Sequence, residues 1–152
     1  MLFSSYEEIT KYLENEQNYS LVSSELPLIY NLNMIENISL IKEVHEHMPI
    51  VDAQKLALEY LKRVNLEYIA QKRVNECTVI EIFYVMFIRA LMSSERRVMI
   101  EVTHSVVDSL SNIEKLLESI ALLNRDKDVS ILDLQERKNY YKDGRCNIIE
   151  SS

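Results

Sequence analysis

Apolar residues recur at helical spacing along much of this chain, and the recurrences follow capping signals. Ser5-Tyr6-Glu7-Glu8 is a capping box: the serine hydroxyl can accept the amide three residues on, and Glu8 can reach back. Tyr6, Ile9, Tyr12 and Leu13 follow on one face. Asn33-Met34-Ile35-Glu36 is a looser form of the same signal ahead of Ile38 and Ile41. Asp52 is read as the cap of a helix carrying Ala53, Leu56, Ala57, Tyr60, Leu61 and Val64, a continuous apolar stripe. Thr78-Val79-Ile80-Glu81 is a further capping box. Ser111-Asn112-Ile113-Glu114 is the last, before Leu116, Leu117, Ile120 and Ala121.

The stretch from Thr78 to Met92 differs from the others. Ile80, Ile82, Phe83, Val85, Met86, Phe87, Ile88, Ala90 and Leu91 cover nearly every side, and a helix apolar all round lies inside a domain or an interface. The short runs Tyr19–Val22, Val98–Val102 and Val129–Leu134 read as strands, with Cys146–Ile149 a weaker fourth. The later runs alternate with helical segments, which favours βαβ units and a small, mostly parallel sheet. Val98–Val102 is apolar on both faces, as a central strand requires, so it is expected between Tyr19–Val22 and Val129–Leu134. Ser93–Arg97 and Asn124–Asp128 read as polar turns. There is no internal repeat, low-complexity tract or linker, so residues 1–152 are expected to form one helix-rich α/β domain.

Composition narrows the chemistry. Apolar residues are 47% of 152, enough for a real core. The only glycine is Gly144, and the only prolines are Pro27 and Pro49. A Walker-type phosphate loop needs two glycines before its lysine and a dinucleotide fingerprint needs three, so neither is present. The net charge of −7 disfavours nucleic acid, which rewards clustered positive charge. No apolar run reaches the roughly 18 residues of a membrane span, and the first residues lack the basic and apolar regions of a signal peptide. Cys77 and Cys146 read as reduced thiols of a cytosolic chain.

The candidate reactive groups do not assemble into a site. His45-Glu46-His47 lacks further ligands and precedes Pro49, so no metal is expected there. His104 and Asp133 with Ser105 or Ser130 could be written as a triad, but no glycine flanks a nucleophile elbow. Cys77 stands at a helix N-terminus, which can lower a thiol pKa, without strongly basic neighbours. The nine tyrosines, among them Tyr6, Tyr12, Tyr19, Tyr30, Tyr140 and Tyr141, fit an interaction surface or the rim of a core equally well.

Several stretches, in order, resemble the ATPase subunit of an ABC transporter. Leu28-Ile29-Tyr30-Asn31-Leu32-Asn33-Met34-Ile35-Glu36-Asn37-Ile38 is similar to the run that follows that family's Q-loop. Ala57 to Leu66 resembles its next helix, and Ile88-Arg89-Ala90-Leu91 its "ARAL" string. Cys77 to Glu81 takes the place of the signature LSGGQ, Val98-Met99-Ile100-Glu101 that of the Walker B strand, and Ser105-Val106-Val107-Asp108 that of the D-loop. Leu123-Asn124 and Asp143-Gly144-Arg145 match later positions. The resemblance covers about residues 19 to 150 and is closest to the branch serving lipid and solvent-tolerance transport. It implies a helical subdomain over about 33–92 and a sheet core over 19–23 and 97–150.

The departures from the family fall on its chemistry. No Walker A precedes Tyr19, the Q-loop glutamine is replaced near Ser24, and the signature glycines are Val79 and Ile80. Glu101-Val102 stands for the Walker B Asp-Glu pair, and Gln135 falls near the switch histidine. The resemblance therefore implies a non-catalytic protein without cofactor or metal, a structural or regulatory companion of a transporter. Its place would be the cytoplasm, peripheral at the inner membrane face and touching the membrane only through a permease. Its partner would be a permease subunit, a full ABC ATPase subunit or a second copy of itself, received on Leu26, Leu28, Ile29 and Leu32. Thr78 and Glu81 are the candidates for touching a nucleotide held by a partner, in the alternative of an ATPase half-site completed in trans. A helical adaptor unrelated to transport is the other alternative.

Overall fold

The computed structural model describes residues 1–103, 113–142 and 146–151. The chain runs β1 (Leu2–Phe3), α1 (Tyr6–Asn15), β2 (Tyr19–Val22), α2 (Met34–Glu46), α3 (Ile50–Arg63), α4 (Val79–Leu91), β3 (Arg97–Glu101), α5 (Ile113–Leu123) and β4 (Asp128–Leu134). Short 3-10 turns lie at Glu67–Ile69, Val74–Glu76 and Gln135–Tyr141.

The sheet has the order β1-β4-β3-β2 and every pairing is parallel. β3 lies between β2 and β4, with Val98 opposite Ser20 and Val129, and Ile100 opposite Val22 and Ile131. Side chains of a strand alternate between faces, and those of β3 are buried on both. Val98, Ile100 and the following Val102 join the large cluster formed with α2, α3, α4 and α5. Met99 points the other way and packs with Phe3, Ile9, Leu132 and Leu134 under α1. The result is three layers, with α1 on one face of the sheet and the remaining helices on the other.

α4 is the hub of the helical layer. Phe83, Val85, Phe87, Ile88, Ala90 and Leu91 are all buried in the large cluster, and the Phe83 and Phe87 rings stack with centroids 6.5 Å apart. α2 and α3 form a hairpin against it, turned by His47 in the left-handed region at φ 52°. His45 and His47 are exposed at that turn.

The expected elements differ from the structure in four places. The edge strand β1 has no counterpart in the sequence reading. Cys146–Ile149 is not a strand: a single parallel bridge joins Leu2 to Glu150, held by Leu2 N–H donating to Ile149 O at 2.8 Å and Ser151 N–H to Leu2 O at 2.9 Å. α3 starts at Ile50, so Pro49 takes the cap position and its carbonyl accepts from Ala53 N–H at 3.0 Å. Asp52 lies in the first turn instead, where its charge complements the helix dipole. β3 and β4 each begin one residue earlier, at Arg97 and Asp128. The capping box at Ser111 and the D-loop match at 105–108 lie outside the described residues, as does the match at 143–145.

Because Phe87 is fully buried at the contact of α4 with the helical layer, Phe87→Ala is expected to cost about 3–5 kcal/mol of unfolding free energy. Leu122 is 56% exposed, and Leu122→Ala is expected to stay within about 0.5 kcal/mol of the parent. Urea denaturation of both variants checks the pair.

Candidate functional site

In a parallel sheet flanked by helices, ligands bind in the crevice outside the carboxyl ends of the strands. Here those ends deliver Ser4 and Ser5 after β1, Ser23 after β2, Glu101 to Thr103 at β3, and Asp133 and Leu134 at β4. Two clefts open along this edge. One, of about 330 Å³, is walled by apolar side chains including Val22, Leu28, Val79, Ile82 and Met86. The other, of about 740 Å³, lies on the α1 side and includes Tyr6, Thr10, Glu14, Tyr19 and Glu25. Ser23, Glu101 and Thr103 line both. At this junction the buried Ser23 hydroxyl donates to the Glu101 carboxylate, and Glu25 N–H donates to Ser23 Oγ at 3.2 Å.

The helix N-termini beside the crevice are closed by their own side chains. β1 passes to α1 through Ser4 and Ser5 alone, whereas a phosphate loop spans about eight residues. Ser5 Oγ accepts from Glu8 N–H at 3.3 Å, and Glu8 Oε2 accepts from Ser4 N–H at 2.9 Å. This hydrogen bond to Ser4 holds the Glu8 carboxyl below its ordinary pKa. At α4, Thr78 Oγ1 accepts from Glu81 N–H at 3.3 Å and Glu81 Oε1 accepts from Thr78 N–H at 3.0 Å. The other oxygen of the buried Glu81 accepts from Tyr68 OH at 3.1 Å. Burial and, after it, Glu81 raise the Cys77 thiol, so the helix start leaves Cys77 unactivated. An anion reaching either helix N-terminus meets a carboxylate already seated there.

At the β4 end a buried network fills the crevice. Asp133, fully inaccessible, accepts from Arg137 Nε at 2.6 Å, Tyr141 OH at 2.6 Å and Leu134 N–H at 2.8 Å. Arg137 Nη2 also donates to Tyr6 OH at 3.1 Å and to Val102 O at 3.4 Å. Burial alone lowers the Arg137 pKa, but its bonds to Asp133 and Tyr6 outweigh that and hold it above the ordinary value. Burial first, then Asp133, raises the Tyr141 phenol. Asp133 is thus engaged by Arg137 and Tyr141 and is not the acid of a triad with Ser130; His104 and Ser105 lie outside the described residues. Gln135 is exposed at the start of the 3-10 turn that carries Arg137 and Tyr141.

The loop from Leu26 to Leu32 is held rather than loose. Arg89 donates to Leu26 O at 2.7 Å and to Pro27 O at 3.2 Å. Buried Asn37 accepts from Ile29 N–H at 2.7 Å and donates to the carbonyls of Ile29, Leu32 and Asn33 at 3.0, 3.3 and 3.0 Å. The four residues expected to face a partner divide accordingly. Leu28 is a core residue at 7% exposure, Leu32 is half-buried, and Leu26 and Ile29 are exposed at 49% and 47%. Tyr30 joins the exposed pair at 61%. Asn37 and Arg89 stand inside the strings quoted above, but apolar spacing signals neither role.

No protein-family model and no curated protein matches this chain. Solved structures do match in fold. The dimeric post-hydrolysis state of the ATP-binding cassette MJ0796, bound to ADP and Pi, superposes with a TM-score of 0.62 at 23% identity over 90% of this chain. A dimeric structure of MJ0796, described as a bacterial ABC transporter cassette, gives 0.61 and 22% over the same share. The fold is therefore that of an ABC ATPase cassette, and this chain spans 59% of the length of those chains.

Removing the cation from a buried pair strands the carboxylate, so Arg137→Met is expected to destabilise the protein by about 3–5 kcal/mol. Tyr141 contributes in a pH-dependent way. Its folded pKa lies above the ordinary 10.0, so the folded state binds the proton more tightly, and the contribution is complete below that pH and lost as pH rises above it. In urea titrations on the alkaline side, Tyr141→Phe is expected to lose less stability with rising pH than the parent.

Proposed function

We propose that this protein acts by binding and not by hydrolysing ATP, as a non-catalytic ABC ATPase-like companion of an ABC transporter. The observation that carries the reading is the self-capping of the crevice. Glu8 and Glu81 occupy the helix N-termini at which a phosphate would be received, and the branched side chains of Val79 and Ile80 stand where close backbone approach would need glycine. Arg137 is held by Asp133 and Tyr6. A half-site completed in trans would ask Thr78 and Glu81 to reach a nucleotide, whereas both are engaged with each other.

What remains is a rigid docking face. The carbonyls fixed by Asn37 and Arg89 set the course of the loop that presents Leu26, Ile29 and Tyr30 to solvent beside the apolar cleft. A fixed apolar surface of this kind lowers the ordering cost of association. We assign it to a protein partner, with a permease subunit as first choice and a full cassette or a second copy as the others. The place of action would then be peripheral, at the cytoplasmic face of the membrane that carries the permease. The branch resembled in sequence, lipid and solvent-tolerance transport, is where that transporter is to be sought.

Calorimetric titration with Mg-ATP tests the non-catalytic half of the reading. The expected outcome is no saturable binding, with any dissociation constant weaker than about 1 mM. A micromolar constant, or phosphate release by the purified protein, would overturn it.

A further inference from the structure

The apolar cleft and the cleft on the α1 side meet at Glu101, and every charged side chain that lines them is acidic. Glu101 serves both, and Glu14 and Glu25 line the second. Among the described residues, no lysine, arginine or histidine lines either cleft. Arg89 is turned onto the carbonyls of Leu26 and Pro27. Glu101 is half-buried and accepts the Ser23 hydroxyl, and it forms no ion pair among the described residues.

We propose that the partner segment received here carries a lysine or arginine on an otherwise apolar surface, and that Glu101 binds its cationic head. The inference rests on the docking reading above and adds the chemistry of what docks. A wholly apolar occupant would strip water from Glu101 and return nothing to it. An acidic occupant would meet Glu101 with Glu14 and Glu25 close behind. A basic side chain satisfies both walls. Its methylene stem lies along Val79, Ile82 and Met86, and its N–H donors reach the lone pairs that Ser23 leaves open on the carboxylate. The exposed apolar surface of Leu26, Ile29 and Tyr30 continues beyond the cleft mouth, more than a free amine would cover, so the occupant is a segment of a protein.

The test selects random dodecapeptides displayed on phage against the whole folded protein and measures the enriched ones by fluorescence anisotropy. Enriched peptides are expected to share a lysine or arginine flanked by apolar residues. Glu101→Gln should weaken them about tenfold, the worth of one charge-assisted hydrogen bond, and Val79→Lys, which puts a like charge and a long stem into the cleft, should abolish them. The exposed Glu25 gives a second variant that folding does not depend on: Glu25→Lys should weaken binding as well, and added salt should weaken binding to the parent. Circular dichroism reports whether each variant is folded, and if Glu101→Gln is not, Glu25→Lys and the salt series decide. Peptides that lack a basic residue, lose affinity in Val79→Lys and are indifferent to Glu101→Gln, Glu25→Lys and salt would overturn the basic anchor and leave the docking face standing. Enrichment indifferent to Val79→Lys, or no enrichment at all, would overturn the docking reading and this proposal with it.

Discussion

The double burial of β3 is the constraint from which the rest of the architecture follows. A strand covered on both faces must be apolar at every interior position, and Val98, Met99 and Ile100 are all inaccessible. Placing β3 between β2 and β4 leaves α1 with one face of the sheet and α4 and α5 with the other. It also fixes where polar residues can emerge. Glu101 and Thr103 appear where the strand leaves the core, beside Ser23 from β2. The crevice and the loop proposed as a docking face are therefore products of the same burial that stabilises the sheet.

The helix N-termini beside the crevice are capped from within. The same physics that makes helix N-termini receive phosphates makes them receive carboxylates, and the chain supplies its own in Glu8 and Glu81. Each forms a local capping box or a close variant of one, so the glutamate that secures the helix start also excludes an external anion. Asp133 and Arg137 do the same at the β4 end by satisfying one another in a site closed to water. On the non-catalytic reading proposed above, the side chains that stabilise the helix starts are also the ones that would repel a phosphate.

The parts of the fold legible in the sequence are those with long, periodic patterns. The parallel order around β3, the all-apolar α4 and the capping boxes at Asn33 and Thr78 follow from apolar spacing and cap chemistry, and the structure has them. β1 escaped because two residues carry no period, and its pairing with β4 is set by tertiary contact alone. Asp52 misled because a capping residue type is also at home in a first turn, and the chain enters α3 from Pro49. The site was less legible. Leu26, Leu28, Ile29 and Leu32 look alike as letters, yet Asn37 and Arg89 fix the loop so that Leu28 turns inward while Leu26 and Ile29 turn out. The Asp133–Arg137–Tyr141 network follows no apolar period, and its Arg137 also reaches Tyr6, far away in the sequence.

On the non-catalytic reading proposed above, this scaffold needs no nucleotide to close it. Native-state hydrogen exchange of the protein alone tests that claim most directly. The amides of Met99 and Ile100 are predicted to exchange only through global unfolding, with the same protection when Mg-ATP is added. Exchange of those amides through local opening, slowed by Mg-ATP, would contradict the account.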